Sequence, residues 1–268
     1  MNIDAFRCMR GGIQLSVLSK QDYSWIAPIE KTCDKAGRAL YLIHGFSSTP
    51  AVYRLLEPLL VKQYDAIFCP VLAGHGENID AFAQAKAGDW ITQVEQTYEG
   101  LANRFEQVEV MGLSLGGLLA AHLSKRYKLA HLYLLAPALD LLLSINNSIK
   151  LAKALSWLGF RKIRAAAGNL YTTENYEIAY RQIPLTSIIE VLTLIQEFQF
   201  SPPTCPTDVF LGCYDKVVAS KRVAERFAGL ANINIHWLAN SAHVLPLDGD
   251  IEIIGRTIEQ NGLALART

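Results

Sequence analysis

Ser114 lies between two glycines in the run Gly112-Leu113-Ser114-Leu115-Gly116. The β-rich stretch "VEVM" leads into it, and the helix-forming stretch "GGLLAAHLSKRY" leads away. A serine at a sharp strand-to-helix turn sits in a strained backbone conformation with its hydroxyl presented outward. The flanking positions must then be small, because the adjoining strand and helix crowd them. The pentapeptide alone fits either a nucleophile or a glycine-rich corner; the strand before it and the helix after it favour the nucleophile.

A serine nucleophile needs a base, and the base needs a carboxylate to orient it. The histidines are His44, His75, His122, His131, His236 and His243. His122 falls inside a helical pattern, His131 just before a strand, and His236 within the strand-like "INIHWL". His243, in "LANSAHVLPLD", follows the last strand in a loop and is the candidate base. Asp215, in "FLGCYDKVV", comes just past a strand and is the leading acid; Asp140, in "LLAPALD", is its rival after the preceding strand. Asp208 begins its strand at the wrong edge, and Asp248 suits a cap of the last helix. Developing negative charge on a carbonyl oxygen also needs preorganised N–H donors. The backbone of Leu115, after the nucleophile, and that of Phe46, in "HGFSSTP", are the candidates. His44 and His75 are expected to brace their loops, and no Cys or His cluster has the spacing of a metal site.

These residues need a scaffold that gathers loops at one edge. "ALYLI", "DAIFCPVL", "QVEVMGL", "LAHLYLLAP", "TDVFLG" and "NINIHWL" are apolar runs of strand length. Helical patterns lie between them, over 50–63, from Asp89 as a possible cap to Phe105, over 116–127, 219–230 and 249–266. The alternation predicts an α/β fold with a doubly wound, mostly parallel sheet. Residues 139–201 break it with helix-like pieces and no clear buried strand. They are expected to form a helical cap on a core built from 1–138 and 202–268, over the edge where open α/β sheets bind ligands. Leu151, Leu155, Trp157, Leu158 and Phe160 would line an acyl tunnel there or serve as plain core.

Composition narrows the partners. The 268 residues are 51% hydrophobic, with 25 Lys+Arg against 25 Asp+Glu, and no like-charge block stands out. That balance argues against nucleic acid or an anionic membrane surface as the main partner. Five cysteines without a CxxC pair suggest reduced thiols. The most apolar run, "LAHLYLLAPALDLLLSI", falls short of a transmembrane helix, so the expectation is a soluble, cytoplasmic protein with no stable membrane insertion.

Taken in order, "LYLIHGFSSTP", "PVLAGHGEN", "GDWITQVEQTYEGL", "VEVMGLSLGGLLAAHLS", "VFLGCYDKVV" and "SAHVLPLD" resemble the α/β-hydrolase superfamily. More narrowly they resemble its bacterial carboxylesterase and monoacylglycerol lipase group, over about residues 38–250. The resemblance implies Ser114 as nucleophile, Asp215 as acid, His243 as base, and Phe46 and Leu115 as oxyanion donors. It implies hydrolysis of short or medium acyl esters through an acyl-enzyme, with no cofactor or metal and a small-molecule ester as partner. Leu115 stands where the group often has Met or Gln, a position that contributes only its backbone N–H. A C–C bond hydrolase, thioesterase or acyltransferase would use the same triad, and a non-catalytic ligand-binding protein is the further alternative.

Overall fold

Seven segments rich in β-branched, leucine and aromatic residues pair into one sheet. They are β1 (Ile29–Thr32), β2 (Arg38–Ile43), β3 (Ala66–Cys69), β4 (Gln107–Leu113), β5 (Leu132–Leu135), β6 (Thr207–Gly212) and β7 (Ile233–Leu238). The structure, a computed structural model, describes residues 3–33 and 35–265. The spatial order is β7-β6-β5-β4-β2-β3-β1. All neighbours run parallel except β1, which lies antiparallel on β3. The five inner strands are buried almost end to end, whereas both edge strands are partly exposed. Continuous burial is what a parallel strand needs when helices cover both of its faces.

Alternating side chains along the strands feed two cores. Tyr41, Ile43, Val110 and Val209 pack with Trp90 and Val94 of α1 (Ala87–Ala102) and with Leu118 and Leu119 of α2 (Leu115–Arg126). Leu40, Leu42, Met111 and Phe210 pack on the other face with Ile254 and Ile258 of the closing helix (Ile251–Leu265). The helix expected over 50–63 is instead two short turns, Pro50–Tyr53 and Glu57–Leu60. Both carry proline in the first turn, where a missing N–H is tolerated and a helix starts rather than continues. Asp89 sits inside α1 rather than ahead of it, and its carboxylate reaches back to accept from the Lys86 N–H at 2.8 Å.

Residues 139–201 lie between β5 and β6. Two helices dominate, α3 (Ile145–Trp157) and α4 (Leu185–Glu197), packed against each other. The interval is not all helix, however. Lys162–Arg164 pairs with Gln182–Pro184, and the buried Glu177–Tyr180 pairs antiparallel with Phe6–Arg10 near the N-terminus. Strand-like alternation there is only four residues long, and its partner is about 170 positions away, so local patterning gives no signal.

A buried charge cluster secures the N-terminal edge. Asp208, second in β6, accepts from His131 at 2.7 Å, His236 at 2.6 Å and Asn261 at 2.8 Å. Burial alone would raise its pKa, but the two histidines and Asn261 outweigh that and hold it well below the ordinary carboxylate value. A carboxylate with a depressed pKa stabilises the fold fully above its unfolded value and loses that contribution as pH falls through the native one. Asp208→Ala is therefore expected to lower the unfolding free energy at pH 7 by about 3 kcal/mol. Urea denaturation should show the gap between variant and wild type closing in acid, below the ordinary value of 3.8.

Candidate active site

The Ser114 backbone has φ 55° and ψ −113°, a conformation that L-residues avoid. Crowding enforces it. A Cβ on Gly112 would come within 2.1 Å of the Gly116 carbonyl oxygen, and one on Gly116 within 2.0 Å of the Ile43 carbonyl oxygen. Ser114 donates its N–H to Leu135 at 2.9 Å, and its carbonyl accepts from Leu118 and Ala138, each at 3.0 Å. The serine is the N-cap of α2, so the N–H of Leu115 belongs to the first turn, whose donors lack intrahelical acceptors. The same helix end favours negative charge.

The second loop at this edge, His44 to Pro50, follows β2. It packs against the elbow: a Cβ on Gly45 would touch Ser114 Cβ at 3.6 Å. Two buried histidines lock it to the loop after β3. His44 Nε2 accepts from the Leu72 N–H at 3.0 Å, and His75 Nε2 accepts from the Ser47 N–H at 3.2 Å. Each ring donates from Nδ1 to a backbone carbonyl, His44 to Gly45 and His75 to Ala73. Burial drives both below the ordinary histidine value, His44 to about 4. Both therefore stay neutral near pH 7 and hold Phe46 in place from either side.

His243 and Asp215 meet in the loops after β7 and β6. The ring donates from Nδ1 to Asp215 Oδ2 at 2.8 Å, which leaves Nε2 as the acceptor. Asp215 Oδ1 accepts from the N–H groups of Val217 at 2.7 Å and Val218 at 2.9 Å, so the carboxylate is oriented at both oxygens. Burial opposes charge on the imidazole, but Asp215, with the buried Glu177 adding to it, outweighs burial and raises the His243 pKa. Burial likewise opposes charge on Asp215, yet His243 and the two N–H groups lower its pKa. Among the described residues the hydrogen bonds of His243 run to Asp215 and Asn169, and none to the Ser114 hydroxyl. Contacts of this kind tighten when substrate binds. Asp140 is turned elsewhere, paired with Arg222 at 2.8 Å and Arg226 at 3.6 Å.

Sequence patterning passes over Asn169, yet it ties these loops together. Its backbone carbonyl accepts from the N–H groups of His243 at 3.0 Å and Val244 at 3.2 Å, while its side chain accepts from the Lys216 N–H at 2.9 Å. One residue of the 139–201 interval thus spans the loop of Asp215 and the loop of His243. The preceding Gly168 N–H is held by the buried Glu177 carboxylate at 2.7 Å. Asp248, expected to cap the last helix, is buried and accepts instead from the N–H groups of Ala242, Tyr171 and Thr172. Nothing in the pattern of "AAAGNLYTT" marks Asn169, because its partners are distant backbone groups.

Ser114, Leu115 and Phe46 open onto a cavity of about 370 Å³. Its walls come from α3 (Leu151, Leu155), from Ile163 and from α4 (Leu185, Ile188, Leu192). Apart from Ser114 and Ser148, every lining residue is apolar. Among the described residues, no group of three or more His, Cys, Asp or Glu side chains could hold a metal ion.

Comparison with known proteins identifies the family and the fold. Residues 40–252 match the model of the alpha/beta hydrolase family. A thermostable monoacylglycerol lipase of Bacillus sp. (strain H-257) is 28% identical over 228 residues, covering 81% of this chain and 88% of that one. A carboxylesterase of Bacillus subtilis (strain 168) is 20% identical over 239 residues, 87% and 95% of the two chains. Among solved structures, one from work on the metagenome-derived lipolytic enzymes LipS and LipT superposes with a TM-score of 0.76 at 23% identity, over 91% and 98%.

Two outcomes are expected. As general base, the role the resemblance implies, His243 works only when neutral, and a raised pKa keeps it protonated to higher pH. The acidic limb of kcat/KM therefore has its midpoint above the ordinary 6.5. In Asp215→Asn the midpoint moves down while the maximum falls by about 10⁴-fold, as loss of the orienting carboxylate does elsewhere. Asn169→Ala frees the Lys216 N–H without touching the cavity, so kcat drops by up to about 10²-fold while KM changes little. Initial-rate kinetics across pH check both.

Proposed function

The chain belongs to the alpha/beta hydrolase family, and on that premise we propose that it is a carboxylic ester hydrolase acting through an acyl-enzyme on Ser114. The observation that carries this reading is the 2.8 Å Asp215–His243 pair standing at the same sheet edge as a strained serine that faces an apolar cavity. The named activities of the two Bacillus relatives, a monoacylglycerol lipase and a carboxylesterase, support the same class of substrate.

Ser114 Oγ attacks the ester carbonyl carbon while His243 Nε2 takes its proton. The carbonyl oxygen becomes an oxyanion between the N–H groups of Phe46 and Leu115. Asp215 fixes the imidazole tautomer and stabilises the imidazolium. As the tetrahedral adduct collapses, the C–O bond to the alcohol breaks, and His243 returns the proton to the leaving oxygen. Water then attacks the acyl-enzyme, giving its proton to His243. The second collapse frees the carboxylic acid, and the proton returns to Ser114.

The cavity favours a hydrocarbon acyl group over a charged one, because an anion among leucine and isoleucine side chains would go unpaired. Short and medium acyl esters, monoacylglycerols included, are the substrates that match. Residues 139–201 act as a cap inserted in a hydrolase core of 1–138 and 202–268. The cap contributes the cavity walls and, through Asn169, the alignment of acid and base.

Hydrolysis of p-nitrophenyl esters from acetate to palmitate tests the reading. The wild type is expected to turn over short and medium chains best, and Ser114→Ala to lose about 10⁶-fold in kcat. Absence of activity at every chain length, or full activity in the variant, overturns it.

A further inference from the structure

The outer face of the 139–201 interval serves neither the core nor the cavity. Leu151 and Leu155 line the cavity, but Trp157, Leu158 and Phe160 point away from it, with 86%, 63% and 56% of their surfaces exposed. A tryptophan so bare, beside two further large apolar side chains, marks an interaction surface rather than ordinary surface composition. Charge is just as uneven. Residues 141–173 hold Lys150, Lys153, Arg161, Lys162 and Arg164 and no Asp or Glu, a local excess of positive charge that the overall balance, which argued against an anionic surface, conceals. All five cations are exposed, and none forms a salt bridge among the described residues.

The two features occupy the same stretch of chain. On α3, Lys150, Lys153 and Trp157 follow one another at spacings of three and four and share a helix face, with Leu151 and Leu158 on the adjoining stripe. Gly159, with φ 93°, then turns the chain, so that Phe160 and the cations at 161, 162 and 164 follow directly on the helix end. We propose that this face docks the protein on an anionic lipid surface, the aromatic and leucine side chains entering the headgroup layer and the five cations meeting lipid phosphates. A helix with apolar residues beside a lysine row and a tryptophan suits that interface. A second copy of the chain suits it poorly, since the same five uncompensated charges would face each other. Among the described residues no helix is long and apolar enough to cross a membrane, so the contact is superficial. Leu143, Leu151 and Ile163 are exposed and also line the cavity, so docking would turn the cavity mouth toward the lipid. Binding is measured without turnover and thus stands apart from ester hydrolysis.

Flotation with phosphatidylcholine vesicles, with and without phosphatidylglycerol, is the test. The full chain is expected to float with the phosphatidylglycerol vesicles at low salt, far less with phosphatidylcholine alone, and progressively less as salt rises. Lys150→Glu with Lys153→Glu should weaken binding at least about tenfold, as should Trp157→Ser with Leu158→Ser. Both pairs should hydrolyse p-nitrophenyl acetate at the wild-type rate, since none of these side chains lines the cavity. Three outcomes overturn the proposal: no flotation with either vesicle, equal flotation with both, or variants that bind as wild type does. Sedimentation velocity adds a fourth, a dimer that Trp157→Ser with Leu158→Ser dissociates.

Discussion

The close approach of backbone to backbone around Ser114 is the constraint from which the rest of the site follows. A residue held at φ 55° costs about 1–3 kcal/mol over a relaxed one. The structure meets that cost with tertiary contacts: the Ser114 N–H bonds to β5, and its carbonyl accepts from both Leu118 and Ala138. Side chains at Gly112 or Gly116 would stand about 2 Å from carbonyl oxygens of the elbow itself and of β2. No rotamer change relieves a clash with backbone, so strand, turn and helix can approach this closely only if both positions stay bare. Once they do, the Ser114 side chain, the Leu115 N–H and the start of α2 all face one edge of the sheet.

Everything else at that edge is fixed by two kinds of polar pairing. His44 and His75 are neutral because burial removes the water their charged forms would need. Neutral rings can accept backbone N–H groups, and each accepts one from the other's loop. Asp215 and His243 follow the opposite logic, each stabilising the charged form of the other against burial. A contact between aspartate and histidine is not diagnostic by itself. Asp208 holds two histidines at least as closely as Asp215 holds one. Asp208 lies second in β6, however, whereas Asp215 lies three residues past its end. Parallel strands put these positions at opposite edges of the sheet, and only one of them has the elbow serine.

This geometry explains what was legible in the sequence. Buried parallel strands leave mostly apolar runs, and Gln107–Leu113 and Thr207–Gly212 have the bounds that their patterns predict. Ser114, Asp215 and His243 follow strands, so their placement could be read from chain order and strand ends. The 139–201 interval was less legible, because its order comes from distant partners. The buried Glu177–Tyr180 makes sense only beside Phe6–Arg10. Asn169 matters through backbone groups at 216, 243 and 244, which carry no residue-type signature. Trp157, Leu158 and Phe160 have the spacing of core or tunnel residues, and helical periodicity cannot tell a face turned inward from one turned to solvent.

The same interval therefore has two mechanically distinct parts. Residues 168–172 are bound to the rest of the fold at Gly11, at Asp248 and at the loops of Asp215 and His243. Helix α3 touches the rest of the molecule chiefly through α4 and presents its other side outward. Contacts that set the Asp215–His243 geometry are thus separated from the surface that meets the surroundings. A cavity mouth lined by Leu151 and an exposed apolar face at Trp157 therefore share one helix, apart from the hydrogen bonds that orient the imidazole.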